Sequence, residues 1–225
     1  MSKTRLIPAL GAQGAAALAA AFIMDLTERL AGASLGRDVR RVLCYDNPDA
    51  GGNVAARDAF KALLAAPGAD GKSSELILKR FSLLAQSGGD LGERLGSAMK
   101  TVRLSFEGPL LLIGSDAPDL PEDELLRGLE LARAGKAYLK PAEDGGYVLL
   151  ALPAAARHTV FDEVEWSTAE TARTQAARLR AMELPTIVSN SKWPDVDRPA
   201  DLPLLLKRLE ANPGIARRTL AVLRG

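Results

Sequence analysis

The sequence predicts a layered α/β fold in a single domain, and three observations support this prediction. Strand-like and helix-like segments alternate along all 225 residues, an order typical of sheets covered by helices. No low-complexity linker, repeat or sustained heptad interrupts the alternation. A chain of this length could bury roughly 70–75% of its unfolded surface as one domain. We therefore expect one domain over residues 1–225.

The first third of the chain is predicted to alternate between helix and strand. Apolar periodicity indicates helices over residues 12–31 and 53–66, with a strand over 40–46 between them. Residues 73–86 fit either a strand or a helix, because short apolar runs do not distinguish the two. We expect a strand there.

The middle of the chain carries clearer signals. Asp90 and Glu93 have the spacing of a capping box, which predicts that a helix starts at this point. Four unbroken apolar residues predict a strand over 110–113, and a helix over 121–133 follows, because Pro121 suits a first helical turn.

The second half is predicted to begin with two apolar strands, 137–140 and 147–152, around a loop with two glycines. A helix should follow, with Ser167 or Thr168 as its N-cap. A strand over 185–189 and two helices then complete the chain.

Charge and cysteine content exclude some classes of function. The chain has 29 basic and 28 acidic residues and a net charge of +1, so it shows no electrostatic footprint for nucleic acid or anionic lipid. Its one cysteine, Cys44, rules out an internal disulfide and favours a reducing, cytoplasmic location. Because Cys44 stands in an apolar run, we expect a buried, inert thiol.

The longest apolar stretch is too short for a membrane helix. It runs from Ala15 to Met24, about half of the roughly 20 residues that a span needs. With Lys3 and Arg5 ahead of it, the stretch could imitate the apolar part of a secretory signal. We expect an amphipathic helix of the domain and no membrane span, because the run continues into polar residues.

Acidic residues follow or separate the predicted strands. Asp116 comes after 110–113, Asp144 lies between two strands, and Asp195 and Asp197 follow the last strand. Such positions converge at one edge of an open parallel sheet, where ligands bind. Converging carboxylates repel one another unless a cation joins them, and oxygen ligands without cysteine or a histidine cluster select Mg²⁺ or Mn²⁺. A nucleotide phosphate is the implied co-ligand.

Each candidate also has an ordinary structural explanation. Asp116 could form an Asx turn, and Asp119 and Asp197 could cap the helices that follow them. Trp166 could pack in the core or serve as a stacking platform for a sugar or base. The only histidine, His158, has no evident serine or cysteine partner, so a Ser-His or Cys-His hydrolase is excluded.

A family resemblance rests on six motifs: KTRLIPALG, QSGGDLGERL, LLLIGSDAPDLP, PAEDGGYVLLAL, FDEVEWSTAET and DVDRPADL. In this order, over nearly the whole chain, they resemble a bacterial glycosyltransferase family with the nucleotide-diphospho-sugar transferase (GT-A-like) fold. Some of its members are associated with arsenosugar biosynthesis. The resemblance implies a Rossmann-like, three-layer domain with a mostly parallel sheet. That fold is similar to the molybdenum-cofactor and phospholactate guanylyltransferases, which handle nucleoside triphosphates.

The resemblance also implies roles for individual residues. Asp116 and Asp197 match the metal site. Asp144 is the candidate general base of an inverting reaction. The residues matched to nucleotide or phosphate binding are Lys3, Arg5 and Asp119. The residues matched to sugar or acceptor binding are Gly145, Gly146, Trp166, Ser167 and Thr168.

One departure from the family concerns the beginning of the sequence. Family members carry an apolar strand and a Lys/Pro/Gly-rich loop ahead of KTRL, whereas here Met1 and Ser2 precede it. The first strand is therefore expected to be missing. A late start-codon assignment, a truncated inactive copy and replacement by another segment would each explain it, and we favour the first.

Three functions fit these features. The first is a Mg²⁺- or Mn²⁺-dependent glycosyltransferase that moves a sugar from a nucleotide-diphosphate sugar to a small-molecule acceptor. The second is a guanylyltransferase-like nucleotidyltransferase that uses a nucleoside triphosphate. The third is a truncated, non-catalytic homologue. We favour the first, because nucleotidyl transfer depends more strongly on the first Gly-rich loop.

Overall fold

The computed structural model describes residues 3–32, 35–36, 38–46, 54–65 and 79–225. The helices are α1 (Ile7–Gly32), α2 (Val54–Ala65), α3 (Leu91–Arg103), α4 (Glu122–Arg133), α5 (Thr171–Ala181), α6 (Asp201–Ala211) and α7 (Arg217–Arg224). The strands are β1 (Arg41–Tyr45), β2 (Phe81–Ala85), β3 (Leu110–Ile113), β4 (Ala137–Pro141), β5 (Tyr147–Leu152) and β6 (Thr186–Val188). Two short 3₁₀ helices cover Thr4–Leu6 and His158–Phe161.

The described strands form two sheets. Strands β1 and β2 pair in parallel, and a four-stranded sheet has the order β3-β5-β4-β6. Strand β6 is parallel to β4, whereas β5 is antiparallel to both of its neighbours. The predicted parallel arrangement therefore describes β1–β2 and β4–β6 but not β5. Strands β4 and β5 are joined by only five residues, 142–146, which suits a hairpin and is too short for the crossover that parallel strands need.

Helices cover both faces of the four-stranded sheet, which makes three layers. On one face, Tyr138 and Leu149 of the sheet pack with Leu125 and Leu129 of α4. On the opposite face, sheet residues pack against α3, α5 and the second 3₁₀ helix; this cluster includes Leu139, Leu150, Leu152, Met99, Phe161 and Leu179. Strands buried on both faces read as continuous apolar runs, as β3 and β5 do.

A third apolar cluster joins the first helix to the last two. Leu18 and Phe22 of α1 pack with Leu205 of α6 and Leu220 of α7. The buried carboxylate of Asp25 accepts hydrogen bonds from Thr219 N (2.8 Å) and Thr219 Oγ1 (2.7 Å), so a side chain of α1 binds the start of α7. This contact satisfies backbone N–H groups that a helix start leaves free.

Most predicted elements are confirmed within a few residues. The capping box is present, with Asp90 Oδ1 accepting from Glu93 N (2.8 Å) and Glu93 Oε2 accepting from Asp90 N (3.0 Å). Helix α1 is broken at Gly11 (φ 68°), so its continuous part starts where helix 12–31 was predicted. Of the ambiguous segment, the described part contains strand β2, whereas residues 73–78 lie outside the described residues, as do 53 and 66 of the second predicted helix.

Two local predictions need correction. Helix α5 begins at Thr171, and its N-cap Glu170 makes no side-chain cap bond; the hydroxyl of Thr168 accepts from Glu170 N (3.1 Å) in the preceding turn. Cys44 is exposed rather than buried, because the five residues of β1 alternate between two faces and Cys44 falls on the exposed one with Val42.

Among the described residues, one helical stretch, Thr4–Gly32, could cross a membrane by length and composition. A core helix or a signal sequence satisfies the same criterion. Much of α1 between Ala15 and Ala31 is buried in the fold. The absence of a membrane span stays a prediction, as do the cytoplasmic location and the single domain.

Candidate functional site

Four carboxylates gather at one edge of the four-stranded sheet, where sequence reasoning placed them. The carboxyl ends of β4 and β6 meet at this edge because the two strands are parallel. The carboxyl end of β3 also lies there, because antiparallel pairing sets it beside the start of β5. Asp144, Asp195 and Asp197 each offer a carboxylate oxygen, and these oxygens lie within 4.8 Å of one another.

Backbone hydrogen bonds hold the last acidic segment against the other two. Trp193 N donates to Pro141 O (2.9 Å) at the end of β4, and Val196 N donates to Asp116 O (3.1 Å) beyond β3. Val196 is fully buried, so it anchors the segment between its two acidic neighbours. Asp197 is not the cap of α6, because Asp201 Oδ2 accepts from Asp197 N (2.9 Å). Its own carboxylate is thereby left for other contacts.

The ammonium of Lys3 lies between the two carboxylates that were predicted to share a metal ion. Lys3 Nζ is 2.7 Å from Asp116 Oδ1 and 2.9 Å from Asp197 Oδ1, and it also donates to Val196 O. The Lys3 side chain is only 4% exposed. Arg5 is 70% exposed, and its Nη1 lies 3.7 Å from Asp197 Oδ2. Both predicted phosphate-binding cations therefore belong to the acidic site.

Asp195 has the most perturbed carboxyl group of the site. Burial, together with the smaller effects of the charges on Asp144 and Asp197, raises its pKa to about 6, although a backbone hydrogen bond and Lys3 oppose the rise. Carboxylates crowded in this way favour a proton or a cation in their midst.

If a divalent cation binds at this edge through Asp195, Mn²⁺ affinity should fall as the pH drops through about 6, because the carboxyl group must lose its proton before it can bind the cation. Above this value the carboxylate is ionised, and affinity should level off. Mn²⁺ titration between pH 5 and 8, followed by electron paramagnetic resonance, measures this dependence. Asp195→Asn should bind more weakly at pH 7.5 and lose the dependence near pH 6. A wild-type affinity that does not change with pH would contradict the assignment.

The two loops predicted to face a sugar or acceptor contact each other. A Cβ on Gly145 (φ 95°) would lie 2.1 Å from Ala169 O, so only glycine permits this approach. Gly145 O accepts a hydrogen bond from Ala172 N (2.8 Å). In the same turn Asp144 Oδ1 accepts from Gly146 N (2.8 Å), which orients the Asp144 side chain. The two loops thus form one wall beside the acids.

The surroundings of Trp166 favour a packing role. Its ring contacts those of Tyr147 and Phe161, with centroids 6.4 Å apart in each case, and it fills the space beside Gly92. The next residues, Ser167 and Thr168, are exposed. Ser167 has φ 60°, a sparsely populated backbone region for a residue with a side chain. These two residues, rather than the indole, present polar groups to solvent.

Asp119 is placed differently from the other predicted site residues. It is 3% exposed, and its Oδ2 accepts from Arg208 Nε (2.6 Å). Arg29 donates to the neighbouring carbonyls of Pro118 and Leu120. These contacts bind the Asp116–Asp119 loop to α1 and α6. A phosphate could reach Asp119 only if its ion pair with Arg208 opened, and its role in phosphate binding stays a prediction.

Sequence reasoning missed a buried ionic network centred on Lys140. Lys140 Nζ lies 2.6 Å from Glu124 Oε1 and 2.8 Å from Ser191 Oγ, while Tyr138 donates to Glu124 Oε2 (2.5 Å). The network joins α4, β4 and the segment after β6, each of which leads to or from an acid-bearing loop. A lysine inside the apolar run AYLKP was an available signal, because buried lysines are almost always paired.

The residues present fit a hard divalent cation. All the donors gathered at this edge are carboxylate oxygens, which Mg²⁺ and Mn²⁺ prefer, and the described residues offer no cysteine or histidine with them. Mg²⁺ usually takes only one or two protein carboxylates and fills its other positions with water and phosphate. Asp144, Asp195 and Asp197 could hold such an ion together, since one oxygen of each lies within 4.8 Å of the other two.

Comparisons with known proteins identify the family and the fold. Residues 37–168 match the model of the family described as "Uncharacterized protein conserved in bacteria (DUF2064)". A search of the curated proteins finds no match. Among solved structures, the chain is similar to a "putative nucleotide-diphospho-sugar transferase" from Desulfovibrio desulfuricans G20. The identity is 30% and the TM-score is 0.79, over 99% of this chain and 87% of that one.

These matches confirm the predicted α/β fold class and its nucleotide-diphospho-sugar transferase type. They do not test the association with arsenosugar biosynthesis or the missing first strand, which stay predictions. Because the family model matches more than half of the chain, this chain belongs to the bacterial family DUF2064, and it has the fold of the Desulfovibrio protein.

Proposed function

We propose that this protein is a glycosyltransferase that moves a sugar from a nucleotide-diphosphate sugar to a small-molecule acceptor, with Mg²⁺ or Mn²⁺ as cofactor. The observation that carries the proposal is the acidic cluster of Asp144, Asp195 and Asp197 beside the wall formed by Gly145 and Ala169. The similarity to the Desulfovibrio protein, which is described as a nucleotide-diphospho-sugar transferase, supports the same class of substrate.

The diphosphate would lie against the acidic edge. A divalent ion held by Asp195 and Asp197 would neutralise charge on the departing diphosphate. Arg5 is exposed beside Asp197 and is free to turn its guanidinium toward a phosphate. Lys3 supplies a second positive charge at the same edge. The acids without these cations would repel the substrate.

The sugar would lie on the side of the two contacting loops. The acceptor hydroxyl forms a bond to the anomeric carbon, the bond from that carbon to the diphosphate oxygen breaks, and the nucleoside diphosphate leaves. In an inverting reaction, Asp144 accepts the hydroxyl proton. Its carboxylate is exposed and is oriented by the hydrogen bond from Gly146 N. Ser167 and Thr168 offer exposed hydroxyl groups on the neighbouring loop.

We expect UDP- or GDP-sugars to raise the midpoint of thermal unfolding by several degrees, and only when Mn²⁺ is present. A ligand at 100 times its dissociation constant adds about 2.7 kcal/mol, and a domain of this size gains roughly 2–4 °C per kcal/mol. Asp197→Asn should abolish the increase, because it removes a carboxylate oxygen from the cation site. Asp123→Asn on the exposed side of α4 is the matched control and should keep it.

The same measurement separates the three functions. An increase with nucleoside triphosphates but not with sugar nucleotides would favour nucleotidyl transfer. No increase with any nucleotide, with or without Mn²⁺, would indicate a non-catalytic protein. Either result would overturn the proposal.

A further inference from the structure

Lys3 uses all of its hydrogen-bonding capacity inside the acidic site. An ammonium group has three donors, and those of Lys3 face Asp116 Oδ1, Asp197 Oδ1 and Val196 O. These groups lie more than 100 residues further along the chain than Lys3. Its backbone adopts φ 63°, a left-handed conformation that residues with side chains rarely take. The surrounding fold therefore holds this lysine in a costly conformation, which points to a role beyond ordinary packing.

We infer that the Lys3 ammonium is an exchangeable counter-ion: it neutralises Asp116 and Asp197 in the metal-free protein and leaves them when a divalent cation binds. This inference rests on the proposed function, because it takes Asp197 as part of the cation site. Once Lys3 leaves, Asp116 and Asp197 become available together, as the sequence predicted. The freed ammonium, beside the exposed Arg5, would then face the phosphates of the nucleotide.

Charge repulsion favours replacement of the Lys3 ammonium by the divalent cation over binding of both cations at once. Asp197 belongs both to the Lys3 ion pairs and to the three-carboxylate cluster, so an ion bound there would lie within a few ångströms of the ammonium. Two cations at that distance repel each other, and solvent screens the repulsion only in part because the Lys3 side chain is 4% exposed. The second oxygen of Asp197 already faces Arg5, which adds to the repulsion.

The anchoring of the segment indicates which part moves. Leu6 is completely buried in the cluster formed by α1, α6 and α7, so the backbone beside Lys3 is fixed. The lysine side chain has a flexible four-carbon stem and can change rotamer without moving the backbone. We therefore expect the ammonium to swing out of the acidic site while the backbone of the segment stays in place.

Lysine labelling in the wild-type protein tests the exchange directly. An amine-reactive reagent followed by peptide mass spectrometry measures the labelling rate of Lys3, and the exposed Lys136 is the internal reference. In metal-free buffer Lys3 should be protected. With saturating Mn²⁺ and no nucleotide, its rate should rise toward that of Lys136. Protection that persists while Mn²⁺ is bound would overturn the inference.

Ion affinity provides an independent measurement. Lys3→Gln should bind Mn²⁺ at least about tenfold more tightly than wild type, because it removes a buried charge from the site. The matched control is Arg5→Gln, which removes the same charge from the same carboxylate. It should change the affinity by less than about threefold, because that charge is exposed and screened by solvent. Equal or weaker binding by Lys3→Gln would show that the lysine supports the ion site instead.

The two proposals fail in different ways. If the wild type binds Mn²⁺ while Lys3 stays protected and Lys3→Gln binds no more tightly, only the counter-ion role is wrong. If neither the wild type nor Lys3→Gln binds Mn²⁺, the proposed cofactor and the counter-ion role are both wrong. Binding by Lys3→Gln but not by the wild type would overturn both proposals, because the lysine would then occupy the site permanently and would not exchange with a cation.

Discussion

Replacing Lys140 by methionine is expected to lower the free energy of unfolding by about 3 kcal/mol, because it removes one partner of a largely buried ion pair. Lys140 is 2% exposed, and the carboxylate of Glu124 would lose its closest cation. Methionine fills a similar volume, so loss of the charge should dominate over loss of packing. Urea-induced unfolding at pH 7.5 measures the difference.

The control variants isolate the charge. Lys136→Met changes an exposed lysine near β4 and should cost less than about 0.5 kcal/mol. Adding Glu124→Gln to Lys140→Met should restore part of the loss, because the carboxylate left without a partner becomes neutral. If Lys140→Met costs no more than Lys136→Met, the network contributes nothing measurable to stability.

The cost of this substitution should also depend on pH. Burial raises the pKa of Glu124, but hydrogen bonds from Lys140 and Tyr138 and the nearby positive charges outweigh burial and leave it lowered. A lowered pKa in the folded state stabilises the protein above the pKa of the unfolded state, about 4.3 for a glutamate. This contribution is lost as the pH falls through the folded value. The difference between wild type and Lys140→Met should therefore shrink below about pH 4.

Replacing Gly145 by alanine is expected to cost about 3–5 kcal/mol, because it combines backbone strain with a collision. Gly145 has φ 95°, and an added Cβ would lie 2.1 Å from the carbonyl oxygen of Ala169 and 2.5 Å from its Cα. The collision is with backbone, so rotation of a side chain cannot relieve it. The two loops would have to separate, which should also change the fluorescence of Trp166 in the second loop.

Gly135→Ala is the matched control for the cost of placing alanine at a positive φ. Gly135 also has a positive φ (79°), but no atom lies within 4 Å of the position that a Cβ would take. It should therefore cost only about 1 kcal/mol, the penalty for a left-handed conformation. The excess cost of Gly145→Ala over Gly135→Ala, measured by urea unfolding, is the energy of the loop contact. Equal costs would mean that the two loops adjust freely.

Local patterns were sufficient to place most of the secondary structure. The apolar runs of β3 and β5 and the capping box at Asp90 gave the correct elements, because their signals depend on neighbouring residues alone. The antiparallel direction of β5 was not predicted. The two glycines before this strand were interpreted as part of a ligand-binding loop and not as the turn of a hairpin. Cys44 was misplaced because an apolar run does not reveal which strand face is covered.

In the candidate site, too, the sequence indicated where some residues lie but did not indicate their partners. Asp116, Asp144, Asp195 and Asp197 could be expected at one edge, because each follows or separates a strand. Asp119 follows the same strand as Asp116 and was predicted to cap a helix or bind phosphate, but its carboxylate is buried against Arg208, 89 positions further on. No local pattern reports such a partner, because its position depends on how α6 packs.

The sequence by itself determined the α/β layering, the bounds of most helices and strands, and the acidic edge, since these follow from periodicity and from the order of elements. Only the tertiary structure decided which charges meet. It placed Lys3 between Asp116 and Asp197, although Asp197 lies 194 residues further along the chain. It also paired Lys140 of β4 with Glu124 of α4. The physical reason is that a buried charged group is stable only beside a group of opposite charge or a hydrogen-bonding partner. Which group that is depends on how segments far apart in the sequence pack together.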